Sequence, residues 1–330
     1  MSSQLPTVPT TVKGKPKKTS AFSPMAFFKE IGKHWTFYTM ILPGLLFLII
    51  FNYMPMFGVV IAFKDYNPIA GVWGSKWNGL QNFEFFFKSD ALWRVTFNTI
   101  FYNLLIMVLV TSIAIVFAIL LQETGGRYRS GIYKSLMLLP FFLSWIVGDY
   151  IAYSLLNPDQ GLLNQIREFF GYSAIDWYGE PSHWRIIMPI AYLLKSVGYS
   201  SVVYVAAVTG ISSDYYEAAD IDGASKLQKA RFITIPLLMP VVIILSLLSL
   251  GKIFNGGLGD WGAFFTLPRE SGILFSTTDV IDTYVFRALR GVSDIGMSSA
   301  VGLYQAVVGL IMVLATNYLV KKYDPESSLF

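Results

Sequence analysis

Apolar residues fall into six long runs along this 330-residue chain, at 37–63, 95–121, 132–156, 186–210, 233–254 and 296–320. A bilayer core takes about 20 apolar residues per helix, and each run is long enough to cross one. A water-soluble core would use shorter runs with more regular polar interruption. The pattern predicts an all-α integral membrane protein with six transmembrane helices. Pro43 and Pro55 lie inside the first run, where neighbouring groups can satisfy the freed carbonyls. The fifth run opens at Pro236 and Pro240, close to a first turn, where a missing N–H costs least.

Composition agrees. The chain is 54% hydrophobic and 14% charged, against about 25% charged in soluble domains. Lysine and arginine then orient it. With the N-terminus inside, cytoplasmic segments hold six (1–36), three (122–134), three (211–232) and two (321–330), which is 14. The outer loops hold 10 over greater lengths, and Lys195 lies within a span. Both termini are therefore expected in the cytoplasm, as a partly disordered head (1–36) and a short tail (321–330). The net charge of +4 is accounted for by topology and does not call for nucleic acid. The absence of cysteine excludes disulfides and thiolate metal sites. His34 and His183 are too far apart in sequence to suggest a metal site. Aromatic side chains crowd the outer loops (Trp73, Trp77, Phe83, Phe85, Phe86, Phe87 and Trp93, then Trp177, Tyr178 and Trp184), as expected of an interfacial belt.

One cytoplasmic segment, YYEAADIDGASKLQKARFITIPLL at 215–238, stands out for its charge. Asp214 and Glu217 fit a capping box opening a short helix at 215–222. Gly223 can then take the left-handed conformation that ends a helix. A second short helix (ASKLQKARF) would lead into span five. An ordinary solvated loop would also accommodate this much. The spacing adds more: Glu217-Ala218-Ala219, three residues, Gly223, nine residues, then Ile233-Thr234-Ile235-Pro236. This resembles the EAA loop of permease subunits in binding-protein-dependent ABC importers, with Ile235 in place of the usual leucine.

The resemblance implies the permease fold of type I importers, like that of maltose permeases, within a domain at 37–320 whose core is 90–320. It implies that loop 211–235 docks as a coupling helix on an ATPase subunit. Glu217 would pair with a basic group there, Ala218 and Ala219 would pack closely, and Gly223 would bend the chain. Asp222, Ala224, Ile233 and Pro236 complete the motif. The implied partners are two ABC ATPase subunits, a second, non-identical permease and an extracytoplasmic solute-binding protein, in a bacterial cytoplasmic membrane. ATP and Mg would be held by the ATPases, with no cofactor in this chain. Residues 279–290 (DVIDTYVFRALR), the sixth span and the ending ESSLF resemble permeases for oligosaccharides released from polysaccharides, including alginate importers.

The residues themselves exclude an ATPase, because Ile132 stands where a phosphate-binding lysine would follow Gly126 and Gly131. Gly257, Gly259 and Gly262 spell G-x-G-x-x-G without a βαβ unit, so a flexible or re-entrant loop is expected there. Within the spans, Asp149 and Lys195 are costly in lipid and should face protein or water. They could pair with each other or line a sugar path, joined by Trp145, Tyr150, Tyr153, Tyr192 and Tyr199, whose rings and hydroxyls suit a sugar's mixed faces. Were Lys195 to touch substrate, an acidic sugar would fit. Ser298, Gly302, Ala306 and Gly309 suggest a smooth packing face on span six. The outcome expected is a non-catalytic permease subunit forming half of an oligosaccharide path. A permease for another solute, an ion-coupled transporter and, more distantly, a membrane enzyme are the rival readings.

Overall fold

The computed structural model describes residues 33–124, 127–254, 262–292 and 294–323, in two compact units that divide between Phe57 and Gly58. Most of the expected head and tail, together with Gly126, Gly257 and Gly259, lies outside these residues.

The first unit is helix α1 (Trp35–Leu48), which widens into a π-turn at Ile49–Tyr53 and closes at Met54–Met56. Side chains from Trp35 to Phe57 are all exposed, which suits a helix that is apolar all round and spans lipid. The π-turn precedes Pro55, whose ring would otherwise meet the carbonyl four residues back.

The second unit opens on a two-stranded antiparallel hairpin, β1 (Lys64–Asp65) and β2 (Lys76–Trp77), with Lys64 opposite Trp77. Lys64 is buried and satisfied locally, its Nζ donating to the carbonyls of Val72 (2.8 Å) and Trp73 (3.1 Å). Helix α2 (Gln81–Lys88) is clamped to the hairpin by Asn82, whose Nδ2 donates to the carbonyls of Ala62 and Lys64. The expected belt is divided. Trp73, Trp77 and Trp93 are exposed, whereas Phe86 and Trp184 are fully buried. Phe86 packs on Tyr284 and Tyr304, and Trp184 on Tyr178.

Helix α3 (Ala91–Glu123) is the longest, and it buries Val95, Thr99, Tyr102, Ile106, Val110, Ala114 and Ala118 at spacings of three or four along one face. Its small inner residues, Ala114 and Ala118, meet Tyr204, Val205 and Val208 of α7 (Trp184–Thr209). Close approach through small side chains is how helices associate where lipid removes the hydrophobic driving force. Between these two helices runs a broken span. Helix α4 (Arg127–Leu138) passes through 3-10 turns at Leu139–Phe142 and meets α5 (Trp145–Leu156) at 93°. The single helix expected over 132–156 is thus two. Leu143 and Ser144 are extended, and Ser144 caps α5 by accepting from Val147 N–H, so the chain restarts after Pro140 instead of bending through it. The described helices give five straight candidate spans, or six with this bent pair.

In the loop between α5 and α7, α6 (Leu162–Phe169) is pinned by buried Asn164, which donates to the Pro158 and Ile175 carbonyls and accepts from Ile175 N–H and Trp177 Nε1. After α7 come α8 (Ser213–Ile221), α9 (Lys226–Lys229), a π-turn at Ala230–Thr234 and α10 (Ile235–Leu250). Span five therefore begins at Lys226, so Pro236 and Pro240 are interior to a continuous helical run, contrary to the sequence reading. The π-turn widens the ladder just ahead of Pro236, as it does ahead of Pro55.

The remaining loop holds α11 (Gly262–Thr266), α12 (Phe275–Thr278) and α13 (Ile281–Arg287), and the described residues end in α14 (Ile295–Tyr323). The buried line of α14 runs through Met297, Val301, Gln305 and Gly309, where an added Cβ would lie 3.4 Å from Phe254 Cβ. Gly302 and Ala306 fall off that line, so the four small residues do not form one packed face.

Candidate functional site

The charged loop folds as helix, left-handed glycine, helix. Its first helix is capped by Ser212, whose hydroxyl accepts from Asp214 N–H, so Asp214 lies in the first turn and is not the cap. Asp214 still belongs there electrostatically, since a carboxylate favours a helix N-terminus. Gly223 sits at φ +74, and the amides of Gly223 and Ala224 close on the carbonyls of Asp220 and Ala219. The next helix has a reciprocal capping box between Ser225 and Gln228.

Three side-chain contacts tie this hairpin together and to the spans. Tyr216 Oη lies 3.0 Å from Thr234 Oγ1, Lys229 Nζ donates to Asp220 at 2.7 Å, and Lys226 reaches Glu123 at the end of α3, also at 2.7 Å. These contacts join α8 to α9 and to the π-turn ahead of α10, and α9 to the end of α3. Glu217, Ala218, Asp222 and Gly223 are exposed, with Ala219, Ala224 and Ile233 half-buried and Pro236 exposed. Tyr215, Ile221 and Leu227 are also exposed at this tip. A groove of about 350 Å³ runs behind it, with Gln122, Glu123, Tyr216, Glu217 and Asp220 in its wall.

Apart from Tyr150, the expected path residues fall in three separate places. Trp145 and Tyr192 belong to the buried core, 4.9 Å apart between ring centroids, with Tyr192 against Phe264 and Phe264 against Tyr102. Tyr199 is exposed and stacked on Phe141 at 4.6 Å. It lines a groove of about 410 Å³ between α3, α7 and α10, which also presents Thr111, Ser200, Tyr204, Ser249 and Lys252. Tyr150 is exposed elsewhere on α5. Tyr199 was legible from sequence, whereas the serine and threonine hydroxyls of this groove were not, because such residues inside an apolar helix usually bond their own backbone.

Asp149 and Tyr153 form the third place. Asp149 does not pair with Lys195. Its two oxygens accept from Arg269 Nε (2.9 Å) and Nη2 (3.0 Å), a side-by-side fork. The guanidinium lies over Tyr153, 3.6 Å from the ring centroid. Tyr178 meets Tyr153 edge-on at 5.7 Å. Burial pushes the Tyr178 hydroxyl up to about 12, with Asp149 adding to the rise and Arg269 opposing it. Arg269 was missed in the sequence because it stands 120 residues from Asp149 in a loop with no motif. Lys195 instead donates to the Leu143 carbonyl and lies 4.9 Å over the Trp145 ring, holding the break between α4 and α5.

No group of three or more His, Cys, Asp or Glu placed to hold a metal occurs among the described residues. Ser182 Oγ is 3.3 Å from His183 Nδ1, but the nearby Glu180 bonds the serine and not the histidine, so no relay forms.

Comparison with known proteins adds three findings. The family model described as "Binding-protein-dependent transport system inner membrane component" matches residues 113–325. The chain is 32% identical over 289 residues to the polygalacturonan/rhamnogalacturonan transport system permease protein YteP of Bacillus subtilis, covering 88% of each chain. It is also 29% identical to the trehalose/maltose permease MalF of Thermococcus litoralis, over 63% of this chain and 69% of that one. Among solved structures, it is similar to a bacterial ABC transporter involved in import of the acidic polysaccharide alginate, with a TM-score of 0.80 and 27% identity over 91% of this chain and 99% of that one. A bacterial alginate ABC transporter in complex with an alginate pentasaccharide-bound periplasmic protein gives a TM-score of 0.79.

Proposed function

Because this chain belongs to the binding-protein-dependent transport system inner membrane components, we propose that it carries a uronate-containing oligosaccharide across the cytoplasmic membrane. It is a non-catalytic permease subunit of an ABC sugar importer. Two observations on relatives favour an acidic cargo: one is a polygalacturonan/rhamnogalacturonan permease and another takes part in alginate import. A solute-binding protein delivers the sugar from outside, as the complex of the similar importer suggests. Two ATPase subunits holding ATP and Mg, and a second permease chain, complete the assembly.

The observation that carries the mechanism is the hairpin at 211–235. Its exposed Ala218, Ile221 and Leu227 suit an ATPase groove, with Glu217 beside them for a basic partner. Behind the tip, Lys229 ties α9 to α8, while Tyr216 and Lys226 fasten the hairpin to the π-turn ahead of α10 and to α3. ATP closes the ATPase pair, the hairpin moves with it, and the two helices turn the cavity outward. ATP supplies the differential affinity such a shift needs. In this arrangement 211–235 and both termini face the cytoplasm, the domain at 37–320 is the transport unit, and the hydroxyl-lined groove beside Tyr199 is part of the path.

Co-purification with the ATPase and second permease, reconstitution in liposomes and addition of binding protein loaded with oligogalacturonate test this. Stimulated ATP hydrolysis together with uptake is the expected result. Uptake driven by an ion gradient without ATP, or no response to any uronate oligomer, would sink the proposal.

A further inference from the structure

Arg269 is poorly explained as scaffold. It and Glu270 are the two non-glycine residues with left-handed backbone among the described residues, at φ +54 and +52. Such positions persist where surrounding contacts hold them, and they gather at ligand clamps and switches. What holds Arg269 is the fork to Asp149 and the face of Tyr153. An arginine fork matches a carboxylate in plane and spacing, and it makes no distinction between an aspartate carboxylate and that of a uronic acid.

The surroundings also read as a sugar site. Of the four buried side-chain polar atoms without a partner among the described residues, Tyr178 Oη is beside this pair. It is a hydrogen-bond donor left to be used. Tyr153 lies under the guanidinium and meets Tyr178 edge-on at 5.7 Å, and Tyr178 in turn packs on the fully buried Trp184, so an aromatic wall backs the pair. Of the two side chains, 34% of Arg269 and 16% of Asp149 remain accessible, so a ligand can approach the pair.

We infer that Arg269 reads the carboxylate of a uronate oligosaccharide, and that Asp149 occupies the guanidinium as an internal stand-in until substrate replaces it. The inference rests on the proposed uronate cargo and deepens it. Exchange keeps the arginine paired in both states, and the displaced Asp149, whose side chain is 16% accessible, turns to water. It also rejects neutral sugars, since these cannot replace the lost Asp149 fork. Specificity of this kind comes from a group that the wrong ligand leaves unsatisfied.

The test uses the complete transporter in liposomes with its binding protein, and two probes: trigalacturonate and its methyl ester, which keeps the rings but removes the charge. The binding protein contributes the same factor with every variant, so changes in the acid-to-ester uptake ratio belong to the permease. Arg269→Gln is expected to lower acid uptake at least tenfold at low concentration through a raised KM, with ester uptake changed less than twofold. Arg269→Lys keeps the charge without the fork and should fall between. Asp149→Asn frees the arginine and should lower the KM for the acid several-fold. The exchange Asp149→Arg with Arg269→Asp rebuilds the ion pair, and thermal melting of the complex reports its recovery.

A structural pair would regain acid uptake in that exchange, and such recovery overturns the inference. An unchanged acid-to-ester ratio in Arg269→Gln overturns it too, while import by the wild-type complex leaves the proposed function standing. Should the wild-type complex import no uronate at all, the cargo reading fails and takes this inference with it.

Discussion

At the scale of single residues, two glycines do different work. Gly223 is required for its backbone: it sits at φ +74, and no atom lies within 4 Å of where a Cβ would stand, so conformation is the obstacle and space is not. A left-handed non-glycine costs roughly 1–2 kcal/mol, and the bend that presents the hairpin would relax. Gly223→Asp is expected to reach the membrane normally, yet lose the link between uptake and ATP hydrolysis. Normal uptake per ATP in that variant would refute the role given to the loop. Gly198 is required for space. A Cβ there would fall 1.7 Å from the Met137 carbonyl oxygen, a backbone atom unable to step aside. Gly198→Ala must push α7 from α4, at a cost of about 1–3 kcal/mol, which the melting temperature of the detergent-solubilised protein will show. Gly223 was legible in sequence because its motif is local. Gly198 was not, since its constraint comes from a helix distant along the chain.

Tyr178 adds a pH dependence at the same scale. Its hydroxyl titrates at about 12 in the folded chain against 10.0 ordinarily. Between those values the folded chain keeps a proton that the denatured chain releases. The contribution to stability is therefore complete below pH 10 and is lost as pH rises through about 12. Tyr178→Phe should flatten the alkaline fall in melting temperature over that window, and an unaltered fall would assign it to other groups.

Among the elements, the segment 279–290 stood out in sequence through its resemblance to oligosaccharide permeases, but its anchoring was not legible. Val280 and Ile281 are buried. Arg287 folds back to Asp279, giving 2.8 Å contacts to both carboxylate oxygens. Asp279 is fully buried and also takes Arg94 from α3 and Thr283 from α13, while Asn98 and Thr99 of α3 bind the segment's backbone. Pairings across 185 residues leave no periodic trace. Removing the acid strands two cations, so Asp279→Ala is expected to cost about 3 kcal/mol, read as lower melting temperature and poorer recovery from the membrane. The broken third span teaches the same lesson. Hydropathy reports an apolar run of sufficient length and is blind to its direction, whereas Pro140 and the Ser144 cap decide where the run turns.

For the whole molecule, each apolar run falls on described helix, with the third broken and the fifth beginning earlier at Lys226, because burial in lipid is decided by composition over about 20 residues. Orientation is decided by a smaller margin of charge, 14 against 10, and it carries every functional assignment: the hairpin must meet ATP inside, and Arg269 must meet sugar from outside. Since the chain has no cysteine, single cysteines can be read without background. Leu227 is 78% exposed at the hairpin tip, and Ser173 is exposed on the loop after α6. A membrane-impermeant maleimide should label Ser173→Cys in intact spheroplasts and Leu227→Cys only after permeabilisation. The opposite order would turn the chain over. It would leave the hairpin facing the binding protein and Arg269 facing the cytoplasm, where neither could do what its geometry suits.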